Sequence, residues 1–216
     1  MKILALEFSS PQRSVAVWNG LTCCEVVETA VRHTAALGMM TKALADAGLE
    51  REQIECLAIG LGPGSYHGIR AAIALAQGWQ LANGVKLLGL STTEVIAAQA
   101  QAEGFSGTAS VVVDAQRNEF YLARYEITPV TCRKIEPLRI VTLAGVQASE
   151  TAGEVLIGPE VTRWFASGKI ISPHAATLAR LAAARNDFVA GEKLEPIYLR
   201  ETTFVKAPPL RIINHG

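Results

Sequence analysis

The chain has no excess charge of either sign: 20 lysines and arginines balance 20 aspartates and glutamates, for a formal net charge of zero. No dense Lys/Arg cluster stands out along it, which argues against nucleic acid being held by this chain on its own. Cysteine is scarce. Cys23, Cys24, Cys56 and Cys132 have neither the paired spacing of a zinc site nor the pattern of a disulfide framework, so free thiols in a reducing compartment are expected. No segment reaches the ~20 apolar residues of a membrane span. The apolar N-terminal run Met1–Leu6 is cut by Glu7 too early for a signal-peptide core. A cytoplasmic protein without membrane contact is expected.

What is present centres on Cys56–Asn83. An apolar run, Cys56-Leu57-Ala58-Ile59, meets a glycine-rich turn holding Gly60, Gly62, Gly64 and Gly68, and a long alanine-rich helix follows. Such a turn before a helix N-terminus is a natural anion site, and spacing tests each named version. A dinucleotide fingerprint needs glycine where Ser65 stands. A P-loop needs Gly-Lys-Ser/Thr, and the sequence is Tyr66-His67-Gly68. A nucleophile elbow around Ser65 needs glycines where Pro63 and His67 stand. All three fail. The helix read over Ile69–Ala82 has only Arg70, Gln77 and Gln80 as polar side chains, sharing one narrow sector. A helix apolar nearly all round is covered on more than one side. One cover is the sheet; the second is either another helix of this chain or another protein.

In order, strands are expected over residues 2–8, 14–18 and 21–29, with Asn19-Gly20 as a hairpin signal. A helix follows over about 34–47, ended by Gly48. After the central strand and helix come a strand at Lys86–Leu90 and a helix opened by a capping box at Ser91-Thr92-Thr93-Glu94. This βββαβαβα order is that of a ribonuclease-H-like unit. Past Gly104–Gly107 the pattern restarts. Val111–Asp114, Phe120–Ile127 and Lys134–Val141 read as strands, Leu143–Thr151 as a weak helix and Val155–Gly158 as a strand. Ser172-Pro173 caps a final helix with Leu178, Leu181, Ala182, Phe188 and Val189 inward, closed by Gly191. The expected fold is α/β, a duplication of ribonuclease-H-like units as in the actin/sugar-kinase/Hsp70 superfamily. Residues 1–106 form the first lobe, 107–205 a degenerate second lobe, and 206–216 a tail.

Three stretches resemble a known family. Ile3-Leu4-Ala5-Leu6-Glu7-Phe8-Ser9 is similar to I-L-A-I-D-T-S. Gly62-Pro63-Gly64-Ser65-Tyr66-His67-Gly68-Ile69-Arg70 is similar to G-P-G-S-F-T-G-L-R, and Pro196-Ile197-Tyr198-Leu199-Arg200 to P-x-Y-L-R. Arg32-His33-Thr34 and Asp114–Tyr121 also fit. The family is TsaB (YeaZ), the bacterial partner of the threonylcarbamoyl-transferase subunit TsaD. Glu7, Phe8 and His67 depart from its usual Asp, Thr and Thr. The resemblance implies a non-catalytic subunit of the machinery that makes threonylcarbamoyladenosine in tRNA. It implies a TsaD-like partner, a TsaE-like ATPase, a homodimer as an alternative assembly, and tRNA reached only through the complex. No cofactor of its own is implied, with ATP or ADP bound only at a complex interface.

The residues can be weighed alongside that resemblance. Asp114, Arg117 and Glu119 follow the first strand of the second half, where an ATP-using relative would carry a phosphate loop. Their bulk favours a hairpin turn instead. Glu7 and Asp114, at matching strand ends, read as remnants of a cleft rather than as paired carboxylates. His33 has Leu37 four residues on, so no His-x-x-x-His metal site forms. Ser65 and His67 are too close along a turn to act as a nucleophile and base, and Trp79 and Trp164 read as packing residues. Gly62, Gly64, Ser65 and Gly68 are read as a structural turn or phosphate contact. The interface is expected at Leu37, Met40 and Leu44 on the first helix and Ile69, Ile73, Ala76 and Trp79 on the second. Ile73→Glu is then expected to abolish partner binding and leave the monomer folded. The rival reading is a small ATPase or phosphotransferase acting alone.

Overall fold

The computed structural model describes residues 1–29 and 36–199. The Arg32-His33-Thr34 motif, Arg200 and the 206–216 tail lie outside the described residues. The first sheet contains β1 (Ile3–Glu7), β2 (Gln12–Trp18), β3 (Cys23–Thr29), β4 (Cys56–Gly60) and β5 (Lys86–Leu90). Its order is β3-β2-β1-β4-β5, with β1 antiparallel to β2 and parallel to β4. The second sheet contains β6 (Gly107–Asp114), β7 (Glu119–Ile127), β8 (Cys132–Thr142), β9 (Val155–Gly158) and β10 (Lys169–Ile170). Read from its far edge, its order is β8-β7-β6-β9-β10, with β6 antiparallel to β7 and parallel to β9. Strand for strand this repeats the first sheet, so the chain is a duplication of one ribonuclease-H-like unit.

β1 and β4 are buried at every residue, as expected of central strands covered on both faces. Leu4, Leu6, Leu57 and Ile59 pack against helices α1 (Ala36–Ala47) and α2 (Tyr66–Asn83). Ile3, Ala5 and Ala58 face the other way, towards α5 (Ala175–Ala183). Helix α3 (Thr92–Ala102) places Val95 in that second layer, and Ile96, Ala97 and Ala100 against the second sheet. It is the packing link between the lobes. The opposite face of the second sheet is covered by α4 (Leu143–Thr151) through Val146, with Val161 and Phe165 beside it.

Several local expectations change. Helix α2 begins at Tyr66, one turn before Ile69, because Ser65 caps it and accepts from the Gly68 amide. The capping box at Ser91–Glu94 does not form. Ser91 Oγ pairs with Thr93 Oγ1 at 2.9 Å, while Glu94 is drawn 3.5 Å from Arg185. The final helix ends at Ala183, and Phe188 and Val189 lie beyond it; Val189 bridges to Leu87 at the edge of β5. Gly191 does not close that helix. It docks the returning chain on α2, accepting from Gln77 Nε2 at 2.8 Å and donating to Gln80 Oε1 at 2.8 Å. Chain order and packing therefore part company: α5 and the strap after it complete the first lobe.

Candidate functional site

The glycine turn sits between β4 and α2, where the chain passes the β1–β2 connection. The Ser65 amide donates to the Ser9 carbonyl at 2.6 Å. Gly64 has φ +149°, and a Cβ there would lie 2.1 Å from the Ser9 oxygen. A Cβ on Gly68 would lie 2.0 Å from the Phe8 oxygen. The glycines let two stretches of this chain's own backbone touch, a close approach that only glycine permits. Gly62 belongs to the same lock: its amide donates to Thr92 Oγ1 at 3.2 Å and its carbonyl accepts from the Thr92 amide at 2.8 Å.

Glu7 ends β1 fully buried, accepting from the Ser9 amide at 2.9 Å and from Thr92 Oγ1 at 3.3 Å. Burial pushes its carboxyl above the usual range, and those hydrogen bonds only partly oppose it. Asp114 ends β6 and borders the cleft between the lobes. It accepts from the Gln116 amide at 2.7 Å and Gln116 Nε2 at 2.9 Å. Gln116, Arg117 and Asn118 all have φ near +60° and form the β6–β7 hairpin turn, as their bulk suggested. Glu7 is not among the residues bordering the cleft. It points from β1 towards Thr92, so the two carboxylates do not face one another.

Two surface features remain. The first is a groove of about 380 Å³ between α1 and α2, bordered by Leu37, Met40, Leu44, Leu75, Gly78 and Trp79 among others. Of the seven residues expected at an interface, Leu37 is 64% exposed and Trp79 half-buried, whereas Ile69 and Ala76 are wholly buried. Met40, Leu44 and Ile73 are also buried, at 2, 5 and 6% exposure, inside the core layer over the first sheet. The outward face of α2 is instead Ala71, Ala74, Gly78, Leu81 and Ala82. The apolar circumference was legible in the sequence; which arc faces the sheet was not, since alanine occurs on both arcs and the outward one also carries Leu81.

The second feature is the inter-lobe cleft, about 640 Å³. It is bordered by Ser9, Ser10, Arg13 and Tyr66 from the first lobe, Tyr121, Glu160 and Trp164 from the second, and Tyr198 from the strap. Sequence reasoning missed the aromatic members, although Tyr66 and Tyr198 lie inside two of the quoted motifs. His67 is exposed beside Tyr66.

Elsewhere, His174 at the start of α5 bonds Glu25 Oε2 through Nδ1 at 3.0 Å and Gln12 through Nε2 at 3.0 Å. The Glu25 bond raises the His174 pKa, against partial burial. Burial pushes Glu25 up, but the bonds from His174 and the Ala176 amide outweigh it and hold that carboxyl below 4.5. The histidine's contribution is complete below its unfolded value of 6.5 and is lost as pH rises through its higher folded value. The Glu25 contribution is complete above 4.5 and is lost as pH falls through the lower folded value. The gap in melting temperature between wild type and Glu25→Gln is therefore expected to be widest between about pH 4.5 and 6.5 and to narrow as pH rises further. Calorimetric melts across pH 4–9 would measure it; a gap that widens towards alkaline pH would contradict this assignment.

Comparison with known proteins agrees with the fold. A family model described as "TsaD: tRNA N6-adenosine threonylcarbamoyltransferase" matches residues 27–196. The chain is 30% identical over 228 residues to the tRNA threonylcarbamoyladenosine biosynthesis protein TsaB of Escherichia coli K12, covering 97% of this chain and 99% of that one. It is 31% identical over 126 residues to the protein of the same name from Haemophilus influenzae, covering 57% of this chain and 53% of that one. Among solved structures, a Pseudomonas aeruginosa protein described as having similarity to the peptidase YeaZ superposes with a TM-score of 0.79 at 27% identity. That match covers 92% of this chain and 99% of the other. Among the described residues, no helix is long and apolar enough to cross a membrane.

Proposed function

The chain belongs to the TsaB (YeaZ) family, and from that premise we propose that it is a non-catalytic subunit in tRNA threonylcarbamoyladenosine formation, docking on a TsaD-like transferase through the α1/α2 groove. The observation that carries the docking surface is Gly78. A Cβ on Gly78 would meet nothing within 4 Å, so nothing among the described residues calls for glycine there, although glycine inside a helix costs about 0.5–1 kcal/mol. With Ala74 and Ala82 it forms a smooth outward strip flanked by Leu37 and Leu75, a surface suited to close approach by a second helix. A homodimer through the same face is the assembly when the partner is absent.

A subunit role without its own chemistry is supported by the turn. Gly64 and Gly68 are packed against the chain's own Ser9 and Phe8 carbonyls, and Glu7 is fully buried. The chain needs no cofactor of its own under this reading. A TsaE-like ATPase and any ATP or ADP act at the junctions of the assembly.

Reconstitution tests the role. A TsaD-like subunit, its ATPase and the enzyme supplying threonylcarbamoyl-adenylate, given tRNA, should form modified adenosine only when this chain is added. Equal yield without it, or turnover of ATP by the isolated chain, would overturn the reading.

A further inference from the structure

The chain has 4 tyrosines and 3 tryptophans, and Tyr66, Tyr121, Tyr198 and Trp164 all border the inter-lobe cleft. Tyr66 and Tyr198 stack with ring centroids 5.6 Å apart while remaining 51 and 43% exposed. An open stacked pair at a cleft mouth leaves apolar ring faces in water that another planar group could cover. Arginines lie beside two of these rings, Arg70 5.3 Å from the Tyr66 centroid and Arg163 5.0 Å from that of Trp164, and Arg13 itself borders the cleft. Aromatic platforms interleaved with arginine are the means by which single-stranded nucleic acid is held.

The acidic groups in the cleft refine the ligand. Asp114 and Glu160 border it and would repel a polyphosphate placed inside. They suit a base edge instead, since carboxylates accept from exocyclic amino groups. We propose that the cleft binds an unpaired, amino-bearing base of single-stranded RNA, with its phosphodiesters left at the arginine rim. Resting on the functional reading above, that RNA is the tRNA substrate, and this chain then touches it directly rather than only through the complex. Arg13, Arg70 and Arg163 lie far apart in sequence, which is why no basic cluster stands out along the chain.

The test uses the full chain titrated with oligoadenylate, oligouridylate, a short RNA duplex and ATP, followed by tryptophan fluorescence and by anisotropy of labelled oligonucleotide. Oligoadenylate should quench saturably and bind more tightly than oligouridylate, whose base lacks the amino group. Affinity should fall as salt rises. Tyr66→Ala and Tyr198→Ala, both at exposed positions, should each weaken binding at least about fivefold. Trp164→Phe should remove the quench while anisotropy still reports binding. Absence of oligonucleotide binding, equal binding of duplex, or tighter binding of ATP would each overturn the inference. Calorimetry with the TsaD-like subunit on the same preparation separates the two readings. A chain that pairs with its partner yet ignores RNA refutes only this inference, and one that binds RNA but adds nothing to reconstitution refutes only the subunit role.

Discussion

Gly68→Ala is expected to lower the stability of this protein by about 3 kcal/mol, even though alanine is the better helix former. The added Cβ would stand 2.0 Å from the Phe8 carbonyl oxygen, a backbone atom that no rotamer change can move aside. Relief requires pulling α2 away from the β1–β2 connection. That would strain the Gly68 amide's bond to Ser65 Oγ, 3.4 Å in the native turn, and the Ser65–Ser9 bond beside it. For a chain of this size the loss corresponds to a melting temperature lower by roughly 6–12 °C. Gly78→Ala is the control within the same helix. With open space around it, alanine there should raise stability by about 0.5–1 kcal/mol while weakening partner binding. Thermal melts of the two variants distinguish a turn built for internal contact from one built to hold an anion: a harmless Gly68→Ala would mean the turn has slack.

Leu37→Glu is expected to weaken binding of the TsaD-like partner about 30-fold or more, the range of an interface hot spot, with the monomer melting as wild type. Leu37 is 64% exposed and borders the α1/α2 groove, so the new carboxylate stays hydrated until a partner covers it. For Ile73→Glu the burial of that side chain predicts a different outcome from a folded monomer that has merely lost its partner. At 6% exposure within the layer over β1 and β4, a carboxylate at Ile73 is buried without a partner group. That costs several kcal/mol, a large share of a typical domain's stability. Its lost partner binding would accompany a lost fold. Calorimetric titration with circular-dichroism melts separates the two variants. Native partner affinity for Leu37→Glu would move the docking surface elsewhere.

The outline of the molecule was legible because its signals are local. Strand-length apolar runs at residues 3–7 and 56–60, the helix at 143–151 and the repeated β-rich order need only periodicity and turn chemistry to be read. The failures are of two kinds. Ser65 started α2 a turn early through a bond to its own helix. Glu94 left its capping box for Arg185, 91 residues away. Phe188 and Val189 left the last helix for the edge of β5. In each case a contact distant in sequence, or a competing local bond, outweighed a preference worth only about 1 kcal/mol.

Sequence alone determined the duplicated α/β unit, the absence of each named phosphate motif and the apolar character of α2, since composition and spacing carry these without reference to distant residues. Tertiary structure decided which arc of α2 faces solvent, that Glu7 points to Thr92 rather than across the cleft, and that Tyr66, Tyr121, Trp164 and Tyr198 border one cavity. The physical reason is that a side chain's surroundings depend on how sheets and helices are stacked and on where the chain returns. The strap that carries Tyr198 back onto α2 joins parts of the chain more than 100 residues apart.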